Sequence, residues 1–196
     1  MTQNFGQPPE MLSIVRKLAR DTVVVARLLT ELERLVASLS FSTQNDGNAI
    51  SRFSLGRIPE SIVELCEPLS RYFLEFSNLL ETGHAHLQEL IDGSRNWENA
   101  ERAEEWLPVV GFHINRASQS HDLFSDFAGA ALGNPMCARW VLRHETDIGT
   151  DVECLSAPLD PGAILQEILW QKCHAAVLTS ATLCTMGSFE RFIEQV

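Results

Sequence analysis

Lysine is nearly missing from this chain. Lys17 and Lys172 are the two present, and 15 basic against 26 acidic residues give a formal net charge of −11. A free-standing nucleic-acid binder carries the opposite balance, because phosphate contacts need lysine and arginine. Acidity of this order keeps a protein soluble, so any grip on DNA must rest on a few arginines. Long apolar runs are missing too. None approaches the roughly 18 residues that cross a bilayer, and no membrane partner is expected. The opening stretch from Met1 to Pro9 has neither a basic start nor an apolar core, which argues against a signal peptide and for the cytoplasm. The cysteines (Cys66, Cys137, Cys154, Cys173 and Cys184) are odd in number and widely spaced. Without a CxxC pair they indicate neither a zinc knuckle nor a redox dithiol, and reduced, buried thiols are expected. A phosphate loop needs Gly-Lys-[Ser/Thr]. Neither lysine follows a glycine, and no Asp-Glu pair exists to hold magnesium.

What is present is helical for two thirds of the chain, with 45% hydrophobic residues to build a core. Residues 9 to 40 read as a long amphipathic helix. Met11, Val15, Leu18, Thr22, Val25, Leu29, Leu32, Val36 and Leu39 alternate by four and three, the seam of close helix–helix packing. Arg16, Lys17, Arg20, Arg27, Glu31 and Arg34 lie mostly off that seam and should be solvated. Ser42 to Asn48 is a loop by composition. A second helix starts near Pro59, with Glu60 in its first turn. Its seam is Ile62, Cys66, Leu69, Phe73, Phe76 and Leu80. Pro68 should bend it, and Gly83 should divide it from a short helix ending near Gly93. A third helix follows Asn96 and runs toward Leu132. Its seam is Ala103, Leu107, Val110, Ile114, Ala117, His121, Phe124 and Ala128, with a second kink expected at Pro108. Three long helices joined by polar loops make an elongated bundle.

After Gly133-Asn134-Pro135 the pattern changes. Arg139–Arg143 and Val152–Leu155 read as short strands, and Ala163–Trp170 has helical spacing. His174–Ser180 is an apolar run suited to a strand buried on both faces of a parallel sheet. Gly187-Ser188 should start a final helix. The fold class expected is therefore mainly α: an elongated helical bundle over 1–132, followed by a partial α/β segment over 133–196. That segment has too few strands for a sheet of its own, as though cut from something larger. Unpaired strand groups at 174–180 would invite dimerisation.

The most informative stretch is Thr179-Ser180-Ala181-Thr182-Leu183, at the carboxyl end of the last expected strand. Ligands collect at that edge of open parallel sheets. Three hydroxyls can relay hydrogen bonds but do not titrate near neutrality, so acid–base catalysis is not their role. A polar turn after a strand is the plain alternative.

His174-Ala-Ala-Val-Leu-Thr-Ser-Ala-Thr-Leu183 followed by Gly187-Ser-Phe189 resembles helicase motif III of DinG-type enzymes, bacterial relatives of the XPD helicases in superfamily 2. Cys154–Leu165 and Ile168–Trp170 resemble the strand and helix leading into that motif. Arg52–Pro59 with Glu64-Leu65-Cys66 resembles a signature of the family's arch insertion. The resemblance implies two RecA-like domains that bind ATP and magnesium between them, and an arch framing a hole for single-stranded DNA. Residues 9–132 would be the arch, and the chain from about 138 its return into the first RecA-like domain. Thr179, Ser180, Ala181 and Thr182 would couple nucleotide state to DNA grip. The partners implied are single-stranded DNA and the rest of the helicase, with 5′-to-3′ unwinding as the parent's activity. No cofactor site is expected within this chain, and a 4Fe–4S cluster in the parent would lie N-terminal to it, because the five cysteines do not form the required set. Turnover by this chain alone is not expected.

Other residues carry weaker signals. Arg139 and Arg143 share one strand face and are candidates to touch a phosphate backbone. Trp97, Trp106, Trp140 and Trp170 can stack on bases, but at this spacing core packing is the commoner use. His84 and His86 lack a third ligand at metal spacing, and Cys173-His174 point to opposite faces, so neither pair makes a site. The reading from a different class is a stand-alone acidic helical module that binds protein.

Overall fold

A computed structural model describes residues 9–43, 49–93, 100–129, 137–146, 149–160, 162–175 and 177. The expected final helix and the Thr179–Thr182 turn lie outside the described residues. Helix α1 spans Pro9–Ala37, α2 Glu60–Ile91 and α3 Ala100–Ala128. Strands β1 (Ser42–Thr43), β2 (Ala49–Arg52), β3 (Cys137–Thr146) and β4 (Gly149–Pro158) form one antiparallel sheet in chain order. A short helix α4 (Gly162–Leu165) runs into a wider turn over Gln166–Trp170. The protein is mainly α, with a small α/β part after the third helix.

Glu10 in the first turn of α1 and Arg34 in the last complement the helix dipole. Its buried line is Ile14, Asp21, Val25, Leu32 and Val36, with Leu28 and Leu35 packed beside them. The seam therefore runs one residue earlier than the hydropathy suggested at Ile14, Asp21 and Leu28, and coincides with it at Val36. Val15 and Thr22 face solvent, Val15 at 56% exposure. Asp21 is the reason: a carboxylate at a seam position disguises the true line. It is buried because Arg20 Nε donates to its Oδ1 at 2.8 Å, which also holds its pKa below the usual carboxylate range.

Helix α2 is unbroken from Glu60 to Ile91, so the division expected at Gly83 does not occur. Gly83 is buried inside the helix. Pro68 also lies within it, and Pro108 within α3. An interior proline forfeits a backbone bond at about 3 kcal/mol. Beside Pro68 the loss is offset by Cys66 and Leu69, both fully buried. Asp92 and Gly93 close α2, Gly93 with φ +72° in the left-handed conformation that ends helices.

The main core joins all three helices to the sheet. Val25, Leu32 and Val36 of α1 meet Ile62, Cys66 and Leu69 of α2, Phe124 and Phe127 of α3, and Val141 of β3. A second cluster at the far end of the bundle packs Leu87 and Leu90 against Ala103, with Met11, Leu107 and Val110 around it. The α3 seam that its spacing predicted is buried or half-buried throughout, but Phe127, which lies off that seam, is also buried at 2% exposure. His121 sits on that seam, and its Nδ1 lies 3.1 Å from Ser70 Oγ on α2.

The two strands expected after residue 133 exist, but each is ten residues long and they pair as a hairpin, Thr146 opposite Gly149 through Cys137 opposite Pro158. The surprise is β2, which lies ninety residues earlier yet pairs with β3 from Ala49–Arg143 to Arg52–Trp140. The sheet is thus antiparallel and rooted in the helical body. The described residues His174, Ala175 and Val177 lie outside any strand, and Val177 is 90% exposed, so the buried parallel strand expected there is not formed by them. Among the described strands the long free edge is β4, and Asp151 and Glu153 place like charge along it.

Candidate nucleic-acid interface

Arg139, Val141 and Arg143 alternate onto the face of β3 that meets the helices. Opposite them on β4 stand Ser156, Cys154 and Val152. Arg139 is drawn inward by Asp126 near the end of α3. Its Nε donates to Asp126 Oδ2 at 2.8 Å and its Nη2 to Oδ1 at 2.5 Å, the two-pronged geometry of a strong arginine–carboxylate pair. Ser156 Oγ donates to the same carboxylate. Burial pushes the Asp126 pKa up, but the bonds from Arg139 and Ser156 pull it further down, and it ends below the usual value. The Arg139 side chain is 5% exposed. Its guanidinium is committed to Asp126 and presents no open face to a phosphate.

The chain also closes over this pair. Phe53 N–H donates to the Arg139 carbonyl at 3.1 Å, and the turn at Ser54–Gly56 follows. Gly56 has φ +67°, and a side chain there would stand 3.2 Å from Arg139 Nη1 and 3.4 Å from the Cys137 carbonyl. Glycine is required twice over, for its backbone and for its size. The Arg52–Pro59 stretch is therefore a lid on the Asp126–Arg139 pair. Arg143 lies over the Phe41 ring, 4.6 Å from its centroid. It is half-buried, and the same helix-facing register accounts for both arginines.

The α1 arginines expected to be solvated also form a row. At about 100° per residue, Arg16, Arg20, Arg27 and Arg34 fall within about 40° of one another on α1. All four are exposed. Their Cα atoms span eighteen residues, about 27 Å along the axis. Arg34 is paired with Glu31 at 2.5 Å and Arg20 with Asp21, which leaves Arg16 and Arg27 without a partner among the described residues. Beside Arg27 an open depression of 510 Å³ is lined by Thr22, Val23, Ala26, Thr30 and Glu31. The signal was the spacing of four, seven and seven, hidden by attention to the apolar seam.

The tryptophans divide. Trp97 lies outside the described residues. Trp140 and Trp170 are half-buried, and the Trp170 indole N–H is buried with no hydrogen-bond partner among the described residues. Trp106 is 55% exposed, so it is not a core residue. Among the described residues no three histidine, cysteine, aspartate or glutamate side chains converge on a metal position, and no helix is long and apolar enough to cross a membrane.

No family model matches the chain. Across its whole length it is 24% identical to the ATP-dependent DNA helicase DinG of Photobacterium profundum, of which it covers 28%. Over 101 residues, 46% of the chain, it is 39% identical to the ESX-3 secretion system protein EccA3 of Mycobacterium leprae, of which it covers 16%. The chain thus spans a minor part of either relative. The helicase likeness is distant and extends over both the helices and the sheet.

Proposed function

We propose that this chain is a segment of a DinG-type DNA helicase: the helical arch of residues 1–132 with the return, over 133–196, toward the first RecA-like domain. The observation that carries the reading is the similarity to a DNA helicase over the entire chain. The secretion-protein likeness is higher in identity but covers less than half of the chain. On this reading the three helices form the arch beside the single-strand path, and the hairpin β3–β4 is its foot. Thr179, Ser180, Ala181 and Thr182 sense the nucleotide that the rest of the protein binds with magnesium.

The foot has a mechanical consequence. Asp126 of α3 holds Arg139 of β3 and Ser156 of β4 together, and β2 is hydrogen-bonded to β3. A shift of the hairpin is then carried by α3 as one body toward the far end of the bundle.

The test uses the full-length protein. Ser180→Ala should leave DNA-stimulated ATP hydrolysis within about threefold of wild type and cut strand separation at least about tenfold, a loss of coupling worth about 1.4 kcal/mol. Equal loss of both activities would point to misfolding. ATP turnover by the 196-residue chain alone would overturn the reading.

A further inference from the structure

The outer face of α3 has no partner among the described residues. Trp106, Val109 and Phe112 are 55%, 41% and 60% exposed, on a helix whose other face is packed against α2. At about 100° per residue, Arg102, Trp106, Val109, Phe112, His113 and Arg116 fall within about 120° of one another. Phe112 and His113 meet edge-on with ring centroids 5.5 Å apart. Arg102 and Arg116 are exposed and have no partner among the described residues. In chain order the face therefore runs arginine, glutamate, aromatic, aliphatic, aromatic, histidine, arginine. The two arginines are fourteen residues apart, about 21 Å, and Trp106 and Phe112 are six apart, about 9 Å.

We infer that this face is a stacking platform for single-stranded nucleic acid, with bases on Trp106 and Phe112 and phosphates on Arg102 and Arg116. Large aromatics exposed together on one helix face mark a contact surface. Their π faces accept any base, which suits a strand read without regard to sequence. The free arginines stand where the backbone enters and leaves. A protein partner is the poorer fit. Three apolar side chains, broken by Glu105 and His113, fall short of the roughly 800 Å² that a stable partner covers. Glu105 falls within the face, between Phe112 and Arg116 in angle, so phosphate contact is confined to the two arginine ends. The inference rests on the helicase reading and adds to it a site on the arch itself.

Titrating a fluorescein-labelled oligothymidylate with this chain at low salt, read by anisotropy, tests it. Trp106→Ala and Phe112→Ala should each weaken binding between about 5-fold and 100-fold, while Trp106→Phe keeps most of it. Both sites are exposed, so far-UV circular dichroism should be unchanged. Replacing Arg102 and Arg116 by alanine should flatten the dependence of log affinity on log salt by about 1.4, at about 0.7 per phosphate. Binding unaltered in Trp106→Ala and Phe112→Ala overturns the platform, and so does no binding at all. Trp106 emission that follows protein concentration rather than oligonucleotide marks a second copy as the occupant and also overturns it. None of these outcomes touches the Ser180→Ala test in the full-length protein, so the platform and the helicase reading fail separately.

Discussion

Asp126→Ala should be the most damaging single polar change in the described fold. It strands Arg139, whose side chain is 5% exposed, with no counter-charge, and removes the acceptor of Ser156. Breaking a buried pair from one side costs about 3–5 kcal/mol. The Asp126 side chain is 20% exposed, so water can partly replace it, and the low end, about 3 kcal/mol, is expected. Against a total stability of about 5–15 kcal/mol for a domain, that is a large fraction. The assay is urea unfolding followed by helical circular dichroism, with Asp126→Leu, Arg139→Met and the double variant Asp126→Leu/Arg139→Met completing a cycle. The double variant should be more stable than Asp126→Ala, because no buried charge is left alone. The carboxylate also predicts a pH effect. Its folded pKa lies below the ordinary 3.8. Its stabilisation is therefore complete above that value and is lost as pH falls through the lower folded one. Asp126→Asn should flatten the loss of stability below about pH 4. A cost under about 1 kcal/mol for Asp126→Ala, or a double variant worse than the sum of the singles, would refute the clamp.

Two further outcomes are expected. Ile14→Ala should destabilise by about 2 kcal/mol or more and Val15→Ala by under about 0.5 kcal/mol, compared by the same urea titration; the reverse order would restore the seam that hydropathy favoured. Iodoacetamide at pH 8, mapped by mass spectrometry, should modify exposed Cys173 well before Cys66 and Cys154, whose thiols burial pushes up to about 12 and about 11. Equal labelling of the three would show that the core is open.

The helices were legible because long amphipathic periodicity is a local signal. The α3 seam from Ala103 to Ala128 could be read from its spacing, but not Phe127, which leaves that seam and packs against Phe53. The α1 seam could not, since two heptad lines share Met11, Leu18, Val25, Leu32 and Leu39. They differ in whether Asp21 or Thr22 is buried, and only the neighbour Arg20 decides that. The strands at 139–143 and 152–155 were visible as apolar runs. Their pairing with Ala49–Arg52 was not, because a contact across ninety residues leaves no periodicity behind. The same blindness hid the site. Arg139 drew notice as a cation on a strand, yet its carboxylate partner lies thirteen residues earlier on a helix. Gly56 drew notice within the Arg52–Pro59 stretch without a reason, and the reason is the guanidinium beneath it.

Net charge misleads for this chain because it averages over faces. At −11 the molecule as a whole repels a polyanion at long range. That repulsion is screened within about 8 Å at physiological salt, so contact is governed by what each surface presents at close range. Arg16 and Arg27 on α1, with Arg102 and Arg116 on α3, are the cations left unneutralised on the two outer helices. Four arginines give weak binding with a shallow salt slope, about −2.8 if every one met a phosphate. Such a surface captures DNA from solution weakly and at low salt, and it holds better a strand that another part of the molecule delivers. An acidic body with sparse arginines and exposed aromatics therefore fits a guide along a path better than an anchor. The two differ in one measurable respect: a guide's contribution rises with effective local concentration when strand and chain are tethered. An anchor would be saturated by free oligonucleotide at low concentration, so tethering would add little to its occupancy.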